Sequence, residues 1–169
     1  MLPARPFKDL MQKIKLILIC FWLLIISQVI YANQFNAKVI KVIDGDTLIV
    51  TTANVKMKIR LWGIDCPEYN QPYGLAAKKF TDLLCSEKIV TIRIIDTDKY
   101  QRKVCVVLLK NNQSVNELLV KNGFAWWYEY YAPNTASLNS AQNFACIHKI
   151  GLWQDQKPIK PWIWRRQCH

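Results

Sequence analysis

The chain has 169 residues, 51% of them hydrophobic, with 23 Lys and Arg against 12 Asp and Glu, a formal net charge of +11. That length suits one ordinary domain, and the sequence beyond residue 34 holds no low-complexity linker or internal repeat. The charge excess attracts polyanions and places nucleic acid first among partners, while the absence of any CxxC pair among six cysteines gives no indication of a zinc site.

The first segment reads as an export signal. Arg5, Lys8, Lys13 and Lys15 form a basic start, residues 16–30 are an apolar run, and Ala32 is a small residue where a signal peptidase could cut. The run is shorter than the roughly 20 residues that cross a bilayer. Residues 1–32 are therefore expected to be a signal peptide, or an uncleaved N-terminal anchor, since Ile30 fits poorly three residues before the cut. Both place the protein outside the cytoplasm, secreted or periplasmic, the second with a membrane association. Cys20 lies mid-way in the run, which argues against a lipoprotein anchor. Beyond residue 32 the chain carries 19 basic and 11 acidic residues, a net charge near +8. Export would bring Cys66, Cys85, Cys105, Cys146 and Cys168 into an oxidising compartment, where an odd number leaves at least one free or bonded outward.

Residues 38–43 and 47–50 are β-branched runs joined through Asp44-Gly45, a hairpin signal. Residues 55–62 alternate apolar and basic side chains, which puts Val55, Met57, Ile59 and Leu61 on one buried strand face. Residues 72–85 carry apolar positions 76, 80, 83 and 84 at helical spacing, and residues 89–95 and 104–109 return to strand. Ser114 and Glu117 form a capping box for a second helix that Gly123 closes. Asn134 is placed to cap a third helix bearing Leu138, Ala141, Phe144 and Ile147 and ended by Gly151. Five strands and three helices in this order predict an α+β fold, a five-stranded OB-type barrel with helices packed on it, over residues 33–153. The end of the chain, with Pro158, Pro161, Trp153, Trp162 and Trp164, reads as a strap over residues 154–169 packed on that domain.

Two acidic clusters suggest chemistry. A turn needs only one acidic residue, so Asp44-Gly45-Asp46-Thr47 has a spare carboxylate to face a cation. Gly63-Ile64-Asp65-Cys66-Pro67-Glu68 adds two more, one able to hold a metal and the other to act as a base. Oxygen ligands with no histidine or thiolate cluster suit a hard cation, held in about the millimolar range. Arg60 lies five residues before Asp65, where a guanidinium can meet phosphate oxygens in pairs. Asp98-Lys99-Tyr100-Gln101-Arg102 offers a second arginine with a cation and a ring for phosphate and base.

Taken in order, Asp44-Gly-Asp-Thr47, Arg60-Leu-x-Gly-Ile-Asp-x-Pro-Glu68, Asp98-Lys-Tyr-x-Arg102 and Asn116-Glu-Leu-Leu-Val-x-x-Gly123 resemble the staphylococcal nuclease (thermonuclease) family across residues 37–153. Gly151-Leu-Trp153 and Pro161-Trp-x-Trp-Arg165 are similar to its secreted bacterial members. The resemblance implies a monomeric, calcium-dependent (Ca2+) nuclease that hydrolyses phosphodiester bonds of DNA and/or RNA to 3′-phosphate and 5′-hydroxyl ends. By it, Asp46 and Asp65 ligate calcium together with the Cys66 carbonyl, and Asp44 stands behind them. Glu68 is the general base, and Arg60 and Arg102 clamp the phosphate in its transition state. Lys99 and Tyr100 touch the terminal phosphate, and Tyr131 the base.

Three positions depart from the family pattern. Cys66 replaces a threonine, which keeps a backbone ligand but loses a hydroxyl. Glu129 stands where an aromatic residue lines the nucleotide pocket, and the short loop 69–71 suggests a more open cleft. His148 and His169 are the only histidines, which argues against a histidine base; His148 reads as an ordinary helix residue. Two other readings are an OB module that binds nucleic acid or protein without cleaving, and a surface protein docking a partner through its aromatic tail. The joint presence of Asp46, Asp65, Glu68, Arg60 and Arg102 weighs against the first. Trp126, Trp127, Trp153, Trp162 and Trp164 read as core and strap packing, against the second. Pairing of Cys85 with Cys105, and of Cys146 with Cys168, stays open.

Overall fold

The computed structural model describes residues 10–22, 34–53 and 55–167. Two units are present, one ending at Gln34 and one from Phe35 onward. In the first, residues 10–22 form a helix, α1. Among the described residues no helix is long and apolar enough to cross a membrane. The expected cut after Ala32, and Cys168, lie outside the described residues.

The second unit is built from β1 (Gln34–Val42), β2 (Thr47–Thr52), β3 (Val55–Leu61), β4 (Ile64–Asp65), α2 (Gly74–Cys85), β5 (Ile89–Thr97), β6 (Lys103–Leu108), α3 (Val115–Lys121), β7 (Trp126–Trp127), α4 (Ala136–Ile147) and α5 (Pro161–Gln167). The expected barrel is present and closed, in the order β1-β2-β3-β6-β5. β1, β2 and β3 form antiparallel pairs, whereas β3 and β6 run parallel and bring Arg60 opposite Val104. Alternation fills the interior: Val39, Leu48, Val50, Ile59, Val107 and Ile92 are fully buried, and Lys56 and Lys58 on β3 face out. Each such aliphatic side chain contributes about 1.5–3 kcal/mol on burial. Val55 is 59% exposed, because the inward face of β3 begins only at Met57.

Two helices are rotated from the faces their apolar residues suggested. α2 buries Gly74, Ala77, Thr81 and Cys85, while Leu83 is exposed. Thr81 is tolerated inside because its hydroxyl donates to Gly45 O at 2.7 Å and to Ala77 O at 3.0 Å. α4 buries Leu138, Ala141 and Ala145 and leaves Phe144 and Ile147 exposed. Its cap is Thr135, and Asn134 sits one residue earlier in the left-handed region, at φ 55°. Ser114 does cap α3, accepting from Glu117 N. Cys85 and Cys105 are fully buried, separate thiols, and burial pushes each up to about 12.

Asn116 holds the parallel part of the barrel to α3. It is 1% exposed; its Oδ1 accepts from Val107 N at 3.1 Å, and its Nδ2 donates to Trp62 O at 2.8 Å and Cys105 O at 3.2 Å. No water can replace those partners at a buried site, and each orphaned group costs about 1–3 kcal/mol. Asn116→Ala is expected to lower the unfolding free energy by roughly 2–4 kcal/mol. Urea denaturation would check this, and a loss below about 0.5 kcal/mol would show that the bridge is not needed.

Candidate active site

Three chain segments meet at one end of the barrel. The first is the connection between β1 and β2. It spans residues 43–46 rather than a tight two-residue turn, closed by Ile43 N donating to Thr47 O at 2.9 Å. Gly45 is required there by space. A Cβ at this position would lie 2.7 Å from Cys66 Cβ and 2.9 Å from Ala77 Cβ. The missing side chain lets the loop settle between α2 and the second segment. Asp44 Oδ1 then accepts from Asp46 N, and Asp46 Oδ2 accepts from Cys66 N at 2.7 Å.

The second segment is β4 with the loop that follows. β4 pairs with β7, Asp65 opposite Trp126, and this short ribbon fixes the backbone that carries Asp65. Glu68 is fixed through its backbone: Glu68 N donates to Gln71 Oε1 and Gln71 N donates to Glu68 O. Gly74 starts α2 directly against it, where a Cβ would collide with Glu68 O at 1.8 Å. The third segment is the loop before β6. Asp98 Oδ1 accepts from the backbone N–H groups of Tyr100 and Arg102, and its Oδ2 accepts from Arg102 Nε at 2.7 Å. Burial works to raise the Asp98 pKa, but these bonds from Arg102 outweigh it and hold the carboxyl below its ordinary range.

Side chains from these segments form an alternating chain of charge. Arg60 Nη1 lies 2.6 Å from Asp46 Oδ1, and its Nη2 donates to Asp65 Oδ1 at 2.7 Å. Asp65 Oδ2 accepts from Arg165 Nη2 at 2.8 Å, and Arg165 Nη1 meets Glu68 Oε1 at 2.5 Å. Asp46 and Asp65 are 6% and 1% exposed, whereas the Glu68 and Arg165 side chains are 39% and 42% exposed. Burial, the largest influence, raises the Asp46 pKa; Arg60 pulls against it and Asp65 adds to it. Asp44 is raised by burial and by Asp46. Burial also lifts the Cys66 thiol well above its ordinary range, with Asp46 adding, so Cys66 offers its main chain rather than a thiolate. Arg60 Nη1, though close to Asp46, is left without a well-directed hydrogen bond.

All ten residues singled out from the sequence line one cleft of about 940 Å³: Asp44, Asp46, Arg60, Asp65, Cys66, Glu68, Lys99, Tyr100, Arg102 and Tyr131. Tyr100 carries Lys99 and Arg102 against its ring, at 5.1 and 5.5 Å from the centroid. Two further lining residues had been given no role. Tyr128 continues from β7, with its N–H donating to Gly63 O, and its ring stacks on Trp162 at 4.5 Å. Arg165 comes from α5. The signal for Arg165 lay in Pro161-Trp-x-Trp-Arg165: proline starts a helix, and residues three apart share its face.

The structure bears on two of the departures. Tyr128 and Tyr131 line the cleft, whereas Glu129 is exposed and does not. The short loop 69–71 is flanked by the tail. Gln71 Nε2 donates to Ile159 O at 2.7 Å and Trp164 Nε1 to Asn70 Oδ1 at 3.3 Å, so the tail occupies the space beside it. His148 lies exposed at the end of α4, its Nδ1 2.8 Å from Phe144 O, away from the cleft.

Among the described residues no three His, Cys, Asp or Glu side chains converge closely enough to hold a metal by themselves. The cleft instead provides Asp46 and Asp65 on the two prongs of Arg60, with Glu68 next along. Two carboxylates lining an open cleft supply oxygen donors that suit a hard cation whose remaining ligands are water and substrate oxygen.

Comparison with known proteins identifies the family of the chain. The model of the staphylococcal nuclease homologue family matches residues 58–155. An uncharacterised endonuclease of Escherichia coli O157:H7 is 36% identical over 145 residues, covering 86% of this chain and 94% of the relative. An uncharacterised endonuclease of Haemophilus influenzae is 40% identical over 133 residues, 78% of this chain and 74% of the relative. A micrococcal nuclease of Shigella flexneri is 31% identical over 152 residues, 85% and 87% of the two chains.

Because Gly45 sets the approach of Asp46 to Cys66, Gly45→Ala is expected to cost about 1–3 kcal/mol of stability by overpacking. Its unfolding midpoint should fall, and a midpoint matching the parent chain would refute the close approach.

Proposed function

The chain belongs to the staphylococcal nuclease family, and from that premise we propose that it is an exported, calcium-dependent nuclease acting on DNA and/or RNA. The single observation that carries the reading is the cleft in which two buried aspartates, a reachable Glu68 and two arginines converge. Export is supported by the basic start and apolar run of residues 1–32.

Calcium, held by Asp46 and Asp65 with the Cys66 carbonyl, would draw charge from the scissile phosphate as a Lewis acid. The remaining chemistry belongs to side chains. Of the three carboxylates joined through Arg60 and Arg165, Glu68 is the most exposed, with a side chain 39% exposed against 9% for Asp46 and 2% for Asp65, so it takes the proton of the attacking water. Arg60 and Arg102 lie on the same side of the parallel β3–β6 pair, two positions apart in register. They bind the non-bridging oxygens as charge grows on them. Lys99 and Tyr100 reach a terminal phosphate, while Tyr131 and Tyr128 offer faces to a base. Scission toward a 5′-hydroxyl leaves the phosphate on the 3′ side.

A second reading is a module that binds nucleic acid without cutting it. One observation favours it: Asp46, Asp65 and Glu68 are each already engaged by a guanidinium. Cleavage of single-stranded DNA at millimolar calcium separates the two, and binding without cleavage would establish the second.

Glu68→Gln is expected to lower turnover by roughly 10²–10⁴-fold while DNA still binds. Near-normal turnover would remove Glu68 as the base. Arg102→Lys is expected to lose about 10²-fold or more, since a point charge cannot replace a bidentate fork. Chelation of calcium should abolish cleavage, and activity that survives it would contradict the metal's role.

A further inference from the structure

The family match ends at residue 155, yet the strongest contact to the candidate base comes from beyond it. α5 begins six residues past the end of that match and is secured by contacts of its own. Trp162 stacks parallel to Tyr128 at 4.5 Å and 4°, and its edge faces Trp126, which in turn meets Trp153 at 4.4 Å. Lys160 lies over the rings of Trp126 and Trp162, and Gln71 ties the approach to the helix through Ile159 O. Gln71 is the same side chain that accepts from Glu68 N. One face of the helix is thus anchored to aromatic rings and to the Glu68 loop.

Three residues after Trp162, on that face, stands Arg165. Its guanidinium bridges Asp65 Oδ2 and Glu68 Oε1 and lies 3.4 Å from Asp65 Oδ1. An exposed ion pair between mobile side chains is worth little. This one differs, because Asp65 is buried and pinned from its other side by Arg60, and because the helix that carries Arg165 is stacked in place. Glu68, by contrast, has a half-open side chain whose other polar contacts are made by its backbone. Without a partner, its carboxylate would sample several rotamers and seldom the one that addresses water beside the phosphate.

We propose that Arg165 is a positioning residue of the active site, holding the Glu68 carboxylate against Asp65, and that α5 is therefore part of the nuclease machinery. The role rests on the nuclease reading given above. Its charge has a second consequence. A guanidinium on Asp65 opposes a cation on the same carboxylate, so removing it should improve calcium binding while harming turnover. A side chain needed only for folding would not move the two in opposite directions.

The test uses the full mature chain, with Arg165→Ala and Arg165→Lys, measuring kcat and KM on single-stranded DNA and calcium affinity by titration calorimetry. Arg165→Ala is expected to lose about 10–100-fold in kcat, with KM within about threefold. Its calcium affinity should rise by roughly threefold or more. Arg165→Lys should recover part of kcat, since an ammonium can meet one carboxylate but does not fork across two. Should the alanine variant fold poorly, the lysine variant decides: a kcat about tenfold below the parent supports the role, and an unaltered kcat overturns it. A faster Arg165→Ala would overturn it too, marking α5 as a brake, as would a loss confined to KM. A parent chain that binds calcium and DNA but cuts nothing would overturn the nuclease reading, and this role with it.

Discussion

Asp65 is a carboxylate with 1% of its surface exposed and a guanidinium on each side, and the candidate site is arranged around that fact. Removing such a charge from water is costly, and the cost is offset only when good partners are supplied. Here two arginines distant in sequence supply them, Arg60 from β3 and Arg165 from α5. Each brings a further carboxylate with it, Asp46 through Arg60 and Glu68 through Arg165. Three acidic groups that would repel one another are thereby held within one cleft. The neutralising charges belong to the protein, so a cation or phosphate entering the cleft exchanges partners rather than filling a void.

The barrel makes this possible by what it does to neighbouring segments. Parallel pairing of β3 with β6 puts Arg60 and the Arg102 loop on one side, a juxtaposition that antiparallel hairpins alone would not give. The β4–β7 ribbon fixes the backbone at Asp65 by pairing it with Trp126. Gly45 and Gly74 let the two acidic loops lie against α2 at distances no side chain would permit. Asn116, by meeting backbone groups of both Trp62 and Val107, fixes the parallel strands that carry the arginines.

Much of this was legible in the sequence. The β-branched runs, the turns between them and the Ser114 cap follow from local rules, and they define the barrel and α3. The acidic and arginine clusters are local motifs, and with the family resemblance, which alone named Tyr131, they identified residues of the cleft before their contacts were known. The errors came where tertiary packing overrides pattern. α2 and α4 turn smaller residues inward: Thr81 finds carbonyl partners there, and Ala145 is buried while Phe144 stays exposed. Gly45 resembled a hairpin glycine but answers to Cys66 and Ala77, contacts that span far-separated residues. Arg165 was hidden for the same reason: nothing within the tail says which carboxylate it meets 100 residues away.

The account's central claim is that Asp65 organises both metal binding and catalysis from a position paired by two arginines. Asp65→Asn keeps the shape and removes the charge, so it tests that claim most directly when calcium affinity and cleavage rate are measured on the same folded sample. The account predicts a folded protein that no longer binds calcium at millimolar concentration and has lost turnover by roughly 10²-fold or more. A folded Asp65→Asn variant that binds calcium and cleaves DNA at close to the parent rate would contradict it.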